Sequence, residues 1–146
     1  MKKNILMILG VALVLVLALG CGEKATVLKV GDLVFTQYYQ GEGNFWDPGK
    51  IIAIEGEEVT VKWDDAFAKS DSVAKKHISE VVKKEPLDAK KVKAGMEVIV
   101  HPPEWLCPYK GEVTAVEGND YIVSYKSGSV DVIDTVDISA LWKYKR

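Results

Sequence analysis

The chain has 146 residues, 19 of them Lys or Arg and 21 Asp or Glu, for a net charge of −2. No dense basic run accompanies that balance, which argues against nucleic acid as a partner. Two histidines and two cysteines form no Cys/His cluster, and no phosphate-cradling glycine loop is present, so no metal and no cofactor is expected.

Met1 to Glu23 stands apart from any fold. Lys2 and Lys3 give a positive start, and Ile5 to Leu19 is apolar apart from Gly10. That run is short for a bilayer span of about 20 residues, and small residues follow at once. It ends Leu17-Ala18-Leu19-Gly20-Cys21-Gly22, which resembles the lipobox of bacterial lipoprotein signal peptides. The resemblance implies a signal peptide over 1–20, lipidation of the Cys21 sulfur, and acylation (palmitate) of the amino group freed by cleavage. Gly20 fits its position, whereas Ala18 and Leu19 reverse the usual large-then-small order. Gly22, rather than Asp, implies outer-membrane sorting if the cell has two membranes. Several acyl chains at roughly 0.8 kcal/mol per buried methylene make a stable anchor, unlike one. An ordinary signal peptide, or an uncleaved helix with an incidental Cys21, is the alternative. Cleavage removes two lysines, leaving 17 basic against 21 acidic residues, a net of −4. The remaining chain, about 125 residues, suffices for one ordinary domain or two very small ones. Cys107 is then the single thiol, most simply a small buried residue, and the fold must rest on core packing without disulfides.

The rest of the chain is written twice. Lys29-Val30-Gly31-Asp32-Leu33-Val34-Phe35 is answered by Lys93-Ala94-Gly95-Met96-Glu97-Val98-Ile99, and Asp47–Trp63 is answered by Tyr109–Tyr125. In the second match Gly49 meets Gly111, Ala53 meets Ala115, and Glu55-Gly56 meets Glu117-Gly118. Asp71-Ser72-Val73 pairs with Asp131-Val132-Ile133, and Ile78-Ser79 with Ile138-Ser139. The offset drifts from 64 to 62 to 60, the drift that loops absorb in a structural repeat. Each long match reads as a β-hairpin: an apolar-rich strand, an acidic turn carrying Gly, and an alternating strand ending in an aromatic. Val59, Val61 and Trp63 share one face of that strand, as do Tyr121, Val123 and Tyr125, with Thr60, Lys62 and Asp64 opposite. A hairpin alone is marginal, so each belongs to a larger sheet of short strands, best closed into a small barrel. Units of about 55 residues bury only about 60% of their unfolded surface and are marginal alone. By alternation Leu33, Phe35 and Ile99 face away from Val34 and Val98 and are expected to pack the units together. The polar stretch KKEPLDAKK joins the copies.

The recurring pattern, Val-Gly-Asp-x-Val, then aromatic-x-x-Gly-x-Ile, Gly-x-x-Val-x-Val-x-aromatic and a closing Ile-Ser, resembles Tudor and plant agenet domains. The likeness runs from about Val27 to Trp142. It implies an all-β chain of two tandem SH3-like, five-stranded barrels: a tether over 21–26, barrels over 27–84 and 93–146, and a linker over 85–92. The position the family usually fills with Ala after the aromatic is Gly49 and Gly111 here. Family members with known ligands mostly read methylated arginine or lysine inside cells, so in an exported chain the fold carries over and the ligand does not.

In Tudor domains the ligand sits in an aromatic cage at the barrel mouth. Carried over by position, the resemblance implies Trp105, Tyr109 and Tyr125 in the second unit. In the first it implies Tyr38, Tyr39, Phe45, Trp46, Trp63 and Phe67, with Asp47 where Tyr109 aligns. Such rings attract cations by roughly 0.5–2 kcal/mol each, and Glu104, Asp47, Asp64 or Asp65 would add charge selectivity. The competing reading has Trp63 and Tyr125 as plugs of the barrel end. The loop from His101 to Tyr109 holds three prolines, which suits either a preorganised binding edge or a wrap around a small barrel. His101 and Cys107 are the sole support for an enzyme, and no third polar group stands at a telling spacing. The lysine pairs, such as Lys75-Lys76, read as solvated strand edges. The expected function is a lipid-anchored, non-enzymatic envelope module engaging a protein, peptide or cationic ligand. A structural envelope protein packing through its sheet edges, without a small-ligand pocket, is the alternative.

Overall fold

The structure, a computed structural model, describes residues 26–37, 45–64, 72–105 and 107–145. The signal peptide, Cys21, Tyr38, Tyr39 and Phe67 lie outside the described residues. Ten strands form two five-stranded antiparallel sheets, with three single 3-10 turns and no α-helix among the described residues. The first sheet holds β1 (Leu33–Thr36), β2 (Asp47–Glu55), β3 (Glu58–Trp63), β4 (Val73–His77) and β5 (Val81–Lys83), in the order β4-β3-β2-β1-β5. The second repeats it with β6 (Glu97–Val100), β7 (Tyr109–Glu117), β8 (Asp120–Ser127), β9 (Val130–Val136) and β10 (Leu141–Lys143), in the order β10-β6-β7-β8-β9. In each unit the outermost strands of the sheet are joined only by the turn Ile78–Glu80 or Ile138–Ala140. Three residues span little, so the two edges lie close and the sheet rolls on itself as a small barrel.

Local chemistry fixes these elements. The central hairpins turn through Gly56-Glu57 and Gly118-Asn119, where both glycines have φ of 63°, the conformation a two-residue hairpin loop demands at its first position. The 3-10 turn after β9 is capped by Asp137, whose carboxylate accepts from the Ser139 N–H at 2.9 Å. His77 caps its counterpart through its ring nitrogen, and Glu80 accepts from the His77 N–H at 2.8 Å. Val34, Ile51, Val59, Val61 and Val81 fill the first barrel; Val98, Val100, Val113, Tyr121, Val123 and Leu141 fill the second. Val59, Val61 and Trp63 are all buried on the face that their alternation assigns them.

A third core lies between the barrels. Phe35, Trp46, Val82 and Ile99 are buried together there, with Trp142 and Tyr144 packed on them. Strand alternation builds it: Val34, Val81, Val98 and Leu141 point into their own barrels, and their neighbours Phe35, Val82, Ile99 and Trp142 point at the other. Phe35 and Ile99 thus join the units as expected from sequence. Leu33 does not: it opens β1 beyond the shared core and is 55% exposed. The connector is tied down, since Pro86 bridges Trp142 and the Lys143 N–H donates to the Glu85 carbonyl at 2.9 Å. That pairing covers the free edge of β10.

Candidate functional site

The loop after β6 positions the second unit's aromatics. The Trp105 N–H donates to the Pro102 carbonyl at 3.0 Å, and the His101 Nε2 lies 3.1 Å from the Trp105 carbonyl. Burial, then the nearby Lys84 ammonium, holds the His101 imidazole below its usual pKa. The neutral ring therefore spends its Nε2–H on the Trp105 carbonyl and fixes the loop.

Three segments then bring Trp105, Tyr109 and Tyr125 together. Ring centroids are 4.9 Å apart for Tyr109–Tyr125, 5.4 Å for Trp105–Tyr125 and 6.0 Å for Trp105–Tyr109. Trp105 and Tyr125 pack their inner sides on the second barrel's core and remain half-buried. The Tyr109 hydroxyl is 3.3 Å from the Ser127 Oγ. Burial, then the Asp134 carboxylate, raises the Tyr125 phenol pKa. Spacings near 5 Å are direct ring contact. No gap separates Tyr109 from Tyr125 for a ligand atom, so a ligand would meet the outer surface of the cluster. Glu104, next to Trp105 in the chain, is exposed.

The described aromatics of the first unit, Phe45, Trp46 and Trp63, scatter. Phe45 is taken across the boundary, pairing with Tyr109 as an isolated bridge and setting its ring 4.9 Å from that tyrosine. The cause is backbone: the Trp46 N–H donates to the Pro108 carbonyl at 3.1 Å. Trp46 itself is 3% exposed between the barrels, edge-on to Tyr144 at 5.3 Å. Trp63 is 4% exposed and shows its rim to a cleft of about 280 Å³. Asp47 is buried where Tyr109 stands in the second unit. The rings form one row, Phe45–Tyr109–Tyr125–Trp105, that crosses from one unit to the other. Sequence reasoning placed Phe45 in the first unit's mouth because repeat alignment reports position within a unit and carries no signal for contacts between units.

Among the described residues no three His, Cys, Asp or Glu side chains are placed to hold a metal. No protein-family model matches the chain, and no curated protein matches it. Among solved structures it is similar to the crystal structure of Arabidopsis thaliana AGDP1 AGD34, with 12% sequence identity and a TM-score of 0.55, over 81% of this chain and 83% of that one. The likeness shows the fold, a tandem Tudor/agenet-like β architecture.

Proposed function

We propose that the chain is a lipid-anchored module of the cell envelope that binds a protein, peptide or cationic ligand on its aromatic surface. The observation that carries this reading is the row Phe45–Tyr109–Tyr125–Trp105, drawn from both units and left half-buried. Half-buried rings on a stiff loop present large area at little ordering cost, which is how binding surfaces anchor partners. The electron-rich faces and Glu104 suit a cationic group. A plug reading is favoured by one fact: the rings touch one another and the barrel core.

Tetramethylammonium is the simplest probe, titrated against sodium chloride at matched ionic strength. Saturable shifts of the Tyr109 and Tyr125 backbone amides by tetramethylammonium alone are expected. Trp105→Ala should weaken that binding about ten-fold and cost well under the roughly 3–5 kcal/mol of truncating a fully buried Trp. Identical responses to both salts, with a full-sized stability loss, would establish the plug. The anchor is tested separately: Cys21→Ser should abolish acyl labelling and cleavage, and normal processing of that variant would remove the lipid from the proposal.

A further inference from the structure

The two barrels carry a cleft at the same place, with opposite charge. In each, a row of register partners crosses the sheet: Leu33, Lys50, Lys62 and Val73 in the first, and Glu97, Glu112, Ser124 and Ile133 in the second. Leu33, Lys50 and Lys62 of the first row line the 280 Å³ cleft beside Trp63, and the second row lines a cleft of about 480 Å³ beside Tyr125. At the centre of the rows Lys50 answers Glu112. In the second cleft the lysines are matched: Lys110 pairs with Glu97 at 2.6 Å and Lys126 with Asp131 at 3.6 Å. In the first, among the described residues, no carboxylate pairs with Lys50, while Asp64 acts on Lys84.

We infer that the first barrel's cleft is a binding site for an anionic group, a carboxylate or phosphate, carried on a small apolar body. Lys50 and Lys62 stand directly opposite each other on β2 and β3, so two lysines line the same stretch of the cleft. Lys84 approaches from the far wall, its ammonium lying over the faces of Phe35 and Trp142 at 5.4 and 4.6 Å. Its burial lowers its pKa against the opposing pull of the Asp64 carboxylate, so the charge is poorly solvated and gains from an incoming anion. Leu33, Pro48 and the rim of Trp63 supply the apolar wall. Asp64 is the lone carboxylate among the described lining residues and keeps the site selective for small anions over long acidic chains. The site is separate from the aromatic row and stands or falls without it.

The test is an NMR titration of the 15N-labelled chain with two probes, inorganic phosphate and N-acetylglutamate. Saturable shifts are expected at the amides of Gly49, Lys50 and Lys62, with Kd on the order of 1–10 mM, as a few solvent-facing charge pairs supply. Gly111 and Glu112, the equivalent residues in the second barrel, should not move. Lys50→Glu installs the second barrel's residue at an exposed position and should weaken binding at least about five-fold, with Lys50→Gln falling between. Saturation by phosphate alone assigns a phosphorylated ligand, and by N-acetylglutamate alone a carboxylate. Linear, unsaturated shifts with both probes, equal shifts in both barrels, or unchanged affinity in Lys50→Glu would overturn the site.

Discussion

His101 shows how one residue ties the loop to the boundary between the barrels. Its ring is edge-on to Phe35 at 6.2 Å, its Nε2 serves the Trp105 carbonyl, and its backbone N–H donates to the Ala140 carbonyl at 2.8 Å. Protonating it would put a second positive charge in a half-buried place beside Lys84. The folded pKa is therefore below the unfolded one, and the unfolded chain takes up the proton first as pH falls. Stability is complete above about pH 6.5, the ordinary imidazole value, and is lost as pH falls through it towards the folded pKa. Thermal melts between pH 7.5 and 5.5, above the carboxylate range, should show this decline, and His101→Gln should flatten most of it.

At the scale of strands, β2 and β7 decide the shape of both barrels. Each carries one β-bulge, between Ile51 and Ala53 and between Val113 and Ala115. The bulge lets Ile51 and Ile54 both reach the core three positions apart, while Ile52 turns out to 43% exposure. The hairpins, their acidic glycine turns and the inward faces of β3 and β8 were legible because period-two alternation reports them. The bulge was not, because Ile51-Ile52-Ala53-Ile54 is apolar throughout and hides the phase shift. The glycines at 49 and 111 have a steric reason. A Cβ on Gly111 would lie 2.7 Å from the Ser124 carbonyl oxygen and 3.2 Å from the Tyr125 Cβ, and one on Gly49 2.6 Å from Val61 Cγ1. Backbone cannot yield cheaply in a paired strand. Gly111→Ala should cost about 1–3 kcal/mol, read as a lower urea midpoint, and should disturb Tyr125.

The whole molecule is two marginal barrels made into one body by their second faces. β1, β5, β6 and β10 each bury one side in their own barrel and the other against the sister unit, so their residues read as continuous apolar runs. Phe35 and Ile99 were legible from alternation, whereas Leu33 misled because its alternation places it correctly but its position at the strand start leaves it outside the seam. The aromatic row was legible residue by residue through the family resemblance. Its crossing from Phe45 to Tyr109 was not, because it depends on how the units dock. Two basic groups brace the seam over aromatic faces, Lys84 on Phe35 and Trp142, and Lys110 on Tyr144 at 4.4 Å. Coupling through a shared core makes unfolding a single event, because losing either barrel exposes the Phe35–Val82–Ile99 layer of the other. The chain should therefore melt in one transition by far-UV circular dichroism and by tryptophan fluorescence alike. Phe35→Ala should lower it by about 3–5 kcal/mol, although Phe35 belongs to the first barrel. In that variant NMR signals of Val123 and Tyr121, deep in the second barrel, should be lost at the same lowered temperature as those of Val59 and Val61. If instead the second barrel kept its parent melting temperature in Phe35→Ala, the shared layer would be a passive contact and the two units would be independent domains.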